Sequence, residues 1–180
     1  LARINVQFQA QAIRDLLKSA GIPYAETRSK PLVLLPVYSR AGTRVLWQDG
    51  NRWADAWYRL ALDPDNLVPL TMPLGDLSDI AVISAQQALA ADPASLRKIA
   101  AKYATAGAVV MEVRLLPNPA TDTLVAEVRG RVFGPGWQTE PLTAIYGSQP
   151  GQDEQSFLPQ VAAVMAVRLE ETWKERNLLD

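Results

Sequence analysis

The run Leu32-Val33-Leu34-Leu35-Pro36-Val37-Tyr38 is apolar without interruption. A strand with one face in water alternates apolar and polar residues, so an unbroken run predicts a strand covered on both faces, as in an α/β sheet. Pro36 has no N–H for a ladder and is expected at a bulge or at the strand's end. Upstream, Ile4, Val6 and Phe8 alternate over residues 3–8 at the period of a half-buried strand. Ala12, Ile13, Leu16, Leu17 and Ala20 then recur at helical spacing until Gly21 and Pro23 stop them. The chain therefore opens β-α-β, which places it in the α/β class.

Downstream, residues 39–52 read as a loop or short hairpin around Val45 to Trp47, with Asp49-Gly50 as turn chemistry. Trp53, Ala56, Trp57 and Leu60 share one helical stripe, and Leu67 to Met72 suits another strand. Pro73 and Gly75 break the chain, and Asp76, Ser78 and Asp79 offer helix N-caps. A short helix at Ala85, Ala88 and Leu89 stops near Asp92. Asp92-Pro93 then opens a helix whose stripe is Leu96, Ile99, Ala100 and Tyr103, with Gly107 closing it.

From Ala108 the period becomes two, with Val109, Met111, Val113 and Leu115 on one side and Glu112 and Arg114 on the other. Residues 123–132 repeat the pattern, so a hairpin is predicted, with Pro117 to Asp122 connecting its strands. Charge selects the register: Arg114 opposite Glu127 and Glu112 opposite Arg129, because a two-residue slip would set Glu112 against Glu127. A third strand of this meander, near Leu142 to Tyr146, follows the Gly134-Pro135-Gly136 turn. A long helix from about Phe157 to Arg176, capped by Ser156 with Pro159 in its first turn, ends the chain. Residues 1–180 thus read as a single α/β domain with a mixed sheet, in two or three layers.

Composition bounds the chemistry. The 180 residues contain no His and no Cys, which excludes Ser-His-Asp and Cys-His catalysis, thiol redox chemistry and His- or Cys-based zinc sites. Lys and Arg number 18 against 19 Asp and Glu, and a net charge of −1 offers no global attraction for nucleic acid. No apolar stretch approaches the roughly 20 residues that a membrane span needs. The chain starts at Leu1 in a strand-like pattern and stops at Asp180 in polar helix, so it reads as a fragment excised from a longer protein.

No motif assigns a catalytic residue, a cofactor or a metal. Gly134-Pro135-Gly136 lacks the helix and Lys of a phosphate loop, and Asp63-Pro64-Asp65-Asn66 reads as a turn. Asp76 and Asp79 suit a helix cap and the macrodipole better than a divalent cation. Ser84 lacks elbow glycines and an activating His, and reads as a small helix-packing residue. Trp47, Trp53 and Trp57 fall close together and admit two readings, core packing or an aromatic contact surface with Arg44 and Arg52 beside it.

Several of these stretches together resemble a bacterial family catalogued as domain-of-unknown-function family 2066. They are residues 1–8, Gly21 to Arg28, Val33 to Val37, Leu46 to Trp53 with Trp57, Pro73 to Ile80, and Ile83-Ser84-Ala85. The resemblance implies a periplasmic or otherwise exported envelope protein with further sequence before and after this region, and transfers no catalytic residues. The order of elements is also similar to anticodon-binding-like modules of periplasmic Tol-system and curli-secretion proteins, which act by contacting partners.

The expectation is therefore a non-enzymatic partner-binding or assembly module of the bacterial envelope, without cofactor and without nucleic acid. Its expected contact residues are Trp47, Asp49, Arg52, Trp53, Trp57, Pro73, Gly75 and Asp76, with protein as partner. The alternative is a small-molecule-binding domain or a carboxylate-based enzyme, with a pocket near Pro36 and Asp76. A purely structural spacer domain is the third.

Overall fold

The computed structural model describes residues 29–61 and 66–179, together with residues 12, 16, 19 and 20. The strand read at residues 3–8, most of the helix after it and the turn at Asp63 to Asp65 lie outside the described residues.

Strand β1 spans Leu32–Arg40 and pairs in parallel with β4, Gly107–Asn118. The antiparallel partner of β4 is β5, Thr123–Gly134. Beyond β5 lie β6, Trp137–Gln138, and β7, Leu142–Gly147, both antiparallel to it. On the other edge, β2, Thr43–Val45, pairs antiparallel with the end of β1, while β3, Leu70–Thr71, pairs parallel with its start. The sheet is mixed, as the sequence predicts. Its hairpin register is the one that charge selects, Arg114 opposite Glu127 and Glu112 opposite Arg129.

Helices cover both faces, which gives three layers. On the front face lie α1, Arg52–Ala61, and the long α5, Glu154–Leu179. They bury Leu34, Met111 and Val113 of the sheet under Trp53, Trp57, Leu158 and Met165. On the back face lie α2, Leu77–Val82, α3, Ala85–Leu89, and α4, Pro93–Lys102. These close over Val33, Leu35, Val37 and Val110 with Ile83, Leu96 and Ile99. Because β1 feeds both cores, its side chains must be apolar in succession.

Several local expectations are corrected. Pro36 neither ends nor bulges β1. It lies opposite a gap on the open edge, since β2 pairs only with Tyr38–Arg40 and β3 only with Leu32 and Val33. The buried Asn51 amide fills the gap by donating to the Pro36 carbonyl at 2.8 Å. A strand residue points its N and its carbonyl to the same side, so the missing N–H of Pro36 falls where no described strand asks for it.

Gly107 does not close α4. That helix ends at Lys102, with Ala104 in the left-handed region (φ 52°) and the Thr105 N–H bonded to the Ala100 carbonyl at 2.9 Å. Gly107 is instead the first residue of β4, where a Cβ would stand 2.1 Å from the Phe133 carbonyl oxygen. Helix α5 starts at Glu154, earlier than the pattern predicts. Asp153 caps it by accepting the Ser156 N–H at 2.8 Å, and Pro159 lies inside the helix. Ser84 is an N-cap rather than a packing residue: it accepts from the Gln87 N–H at 3.2 Å while the Gln87 amide accepts from the Ser84 N–H at 2.9 Å.

Candidate functional site

The sequence-predicted contact residues divide between the front core and one corner of the back layer. The loop after β2 crosses the sheet edge, held by Asn51, which also donates to the Leu46 carbonyl at 3.0 Å and accepts the Ala54 N–H at 2.9 Å to start α1. Asp49 on this loop and Arg52 at the start of α1 are exposed to solvent. Trp47 is half-buried against the back core, and its indole N–H donates to the Ile83 carbonyl at 2.6 Å.

Gly75 meets Trp47 there. Its φ of +71° favours glycine, and a Cβ there would stand in van der Waals contact with the Trp47 ring at 3.7 Å. Half-buried Pro73 and exposed Asp76 complete the corner. Asp76 caps α2 by accepting the Asp79 N–H at 2.9 Å and the Ser78 hydroxyl at 2.6 Å. Those bonds, the serine's first, bring its carboxyl down to about 2.

Trp53 and Trp57 do not belong to this corner. Both are 0% exposed, packed edge-to-face with ring centroids 5.6 Å apart, and the Trp53 indole donates to the Met111 carbonyl at 2.9 Å. Side chains so enclosed cannot touch a partner, so for these two the core reading replaces the contact reading. Among the described residues, Pro36 and Asp76 likewise share no pocket. Strand alternation with Leu34 and Tyr38 turns Pro36 to the front layer, whereas Asp76 caps a back-layer helix, so the sheet separates them.

Helix α2 has inverted polarity. Its one buried residue is Asp79, with a side chain 0% exposed. The carboxylate accepts the Gly75 N–H at 2.8 Å, the Tyr103 hydroxyl at 2.7 Å and the Lys102 ammonium. The Tyr103 hydroxyl also accepts the Leu74 N–H at 2.8 Å, so the whole turn hangs on the end of α4. Burial pushes the Asp79 carboxyl up, but the bonds from Lys102, Tyr103 and Gly75 outweigh it and hold the group below its ordinary value. Meanwhile Leu74 and Leu77 are 82% and 84% exposed and Ile80 is 49% exposed.

The sequence indicates Asp76 as a cap but gives no sign that Asp79 turns inward, because its partners Lys102 and Tyr103 belong to another helix. The Ser84-x-x-Gln87 capping box could have been found by its spacing alone. Among the described residues no group of three or more carboxylates is placed to hold a metal ion, and no helix is long and apolar enough to cross a membrane.

Fold and surface together define a three-layer α/β domain that displays an apolar turn beside a half-buried tryptophan. No family model matches the chain, and no curated protein matches it. Among solved structures it is similar to the crystal structure of lipoprotein GNA1162 from Neisseria meningitidis. The identity is 10% and the TM-score 0.43, over 79% of this chain and 99% of that one.

Proposed function

We propose that this chain is a non-enzymatic, protein-binding module of the bacterial cell envelope and that it docks through the Leu74–Ile80 turn. The observation that carries the reading is the inverted polarity of α2, a buried carboxylate beneath exposed Leu74, Leu77 and Ile80. Fully burying a leucine side chain is favourable by about 1.5–3 kcal/mol, so two leucines held in water by a bonded turn favour a partner that covers them. Trp47, Gly75 and Asp76 share one corner, with Asp49 on the neighbouring loop and Arg52 at the start of α1, which supports a contact role for these residues. The envelope location is supported by the motif resemblance. The non-enzymatic role is supported by the lack of His and Cys and by the engagement of Asp79 in structural bonds.

A photo-crosslinking residue at Leu77, compared in cells with one at exposed Gln160 on α5, tests this. A discrete protein adduct is expected at position 77, absent at 160 and lost when Leu74→Glu is added. Crosslinking at 77 no stronger than at 160 would refute the docking site. Because Leu74 is exposed, Leu74→Glu is expected to leave stability within about 0.5 kcal/mol, so loss of the adduct reports on contact and not on folding.

A further inference from the structure

A different surface of the back face is built for a small ligand. Helices α2–α4 close over β1 and β4 and leave the back of β5 to Arg129, Arg131 and Phe133, which alternate onto that side. A groove of about 690 Å³ therefore runs between α4 and the β5–β6 hairpin, walled by Leu96, Ala100 and Ala101 on one side and Phe133, Pro135 and Trp137 on the other. That volume lies within the range of about 300–1,000 Å³ usual for small-molecule sites.

At Ala91 and Phe133 the groove meets a second hollow of about 240 Å³ with the opposite character. Its charged lining is Arg44, Arg129, Arg131 and a single acid, Glu112. Glu112 is already engaged, accepting the Ser39 hydroxyl at 3.0 Å with Arg44 at 3.9 Å. The Arg129 and Arg131 side chains make no hydrogen bond or ion pair with any described residue.

An apolar trough that ends at two guanidinium groups with no ion pair among the described residues has the complementarity of an amphiphile with an acidic head. We propose that this groove binds one monomeric, single-chain anionic amphiphile of the fatty-acid carboxylate class. Its alkyl chain lies between α4 and the Phe133–Trp137 wall, and its carboxylate meets Arg129 and Arg131. Guanidinium forks suit a carboxylate because they can donate two parallel charge-assisted bonds. The concave shape selects an extracted monomer over a bilayer surface, since the chain must leave the membrane to lie along the groove.

The test titrates the whole chain with laurate below its micelle concentration by calorimetry. Dodecyl maltoside serves as the neutral amphiphile of equal chain length, butyrate as the head without the chain, and phosphatidylglycerol vesicles as the bilayer. Laurate is expected to bind saturably, one per chain, with butyrate silent. Arg129→Gln with Arg131→Gln should weaken laurate by about tenfold or more while leaving dodecyl maltoside within about twofold. Ala101→Trp, at an exposed wall position, should weaken both.

No laurate binding, or equal laurate binding after loss of both arginines, would overturn the proposal. So would vesicle binding without monomer binding, which indicates a membrane surface. Capture of an acidic, leucine-rich peptide in place of laurate would make the groove a protein site instead. Urea midpoints of the variants confirm folding, and the arginine pair, being on the surface side of β5, carries the test if Ala101→Trp is unstable.

Discussion

Replacing Asp79 with alanine removes the acceptor that holds the 73–80 turn on α4. The Gly75 N–H at 2.8 Å and the Tyr103 hydroxyl at 2.7 Å both lose a carboxylate partner in a place the side chain shares with no solvent. Hydrogen bonds to a charged group contribute about 1.5–3 kcal/mol each. Lys102 is 29% exposed and keeps Asp76 at 3.3 Å, so its share is that of a solvent-screened surface pair and adds little. The two bonds put the expected loss for Asp79→Ala at about 3–6 kcal/mol, which for a chain of this length lowers the melting temperature by roughly 10–20 °C.

Urea unfolding followed by tryptophan fluorescence measures the loss, and its pH dependence tests the cause. The folded Asp79 carboxyl is held below its ordinary value, so its contribution is fully present above about pH 4. As pH falls the unfolded chain takes up the proton first, and the contribution is lost through the lower folded value. The gap between wild type and Asp79→Ala should thus narrow under acid. A loss below about 1 kcal/mol at neutral pH, or a gap that widens in acid, would refute the reasoning.

Two further predictions rest on packing. Gly107→Ala should destabilise by about 3 kcal/mol or more, because its Cβ would meet the Phe133 carbonyl oxygen at 2.1 Å; Gly147→Ala, with nothing within 4 Å, should be nearly neutral, and similar urea midpoints for the two would contradict this. Trp53→Phe should cost about 1 kcal/mol more than Trp57→Phe, since Trp53 donates to Met111 whereas the buried Trp57 N–H has no partner among the described residues; the reverse order of midpoints would remove that argument.

The alternation of residues 108–132 and the charges at 112, 114, 127 and 129 specify the β4–β5 pairing without help, because opposite side chains meet at every second residue. The unbroken run at Leu32 likewise declares a strand between two helical layers. Those are local patterns read against a fixed period, and they are written in the sequence alone.

What the chain could not declare depends on residues distant along it. Pro36 sits comfortably inside β1 only because β2, β3 and Asn51 leave its N side without a ladder to serve. Helical spacing aligned Trp53 with Trp57, but it took α5 packing over them to make that face core. For the contact surface the dependence is strongest. Asp79 and Leu77 lie on one short helix, and intrinsic polarity would send the carboxylate out and the leucine in. Lys102 and Tyr103, 23 and 24 residues further along, satisfy the buried charge and so reverse the order. The sequence determined by itself that β1 is covered on both faces and how β4 and β5 are registered; which polar group is buried and which apolar groups are exposed was decided by tertiary bonds that compensate desolvation.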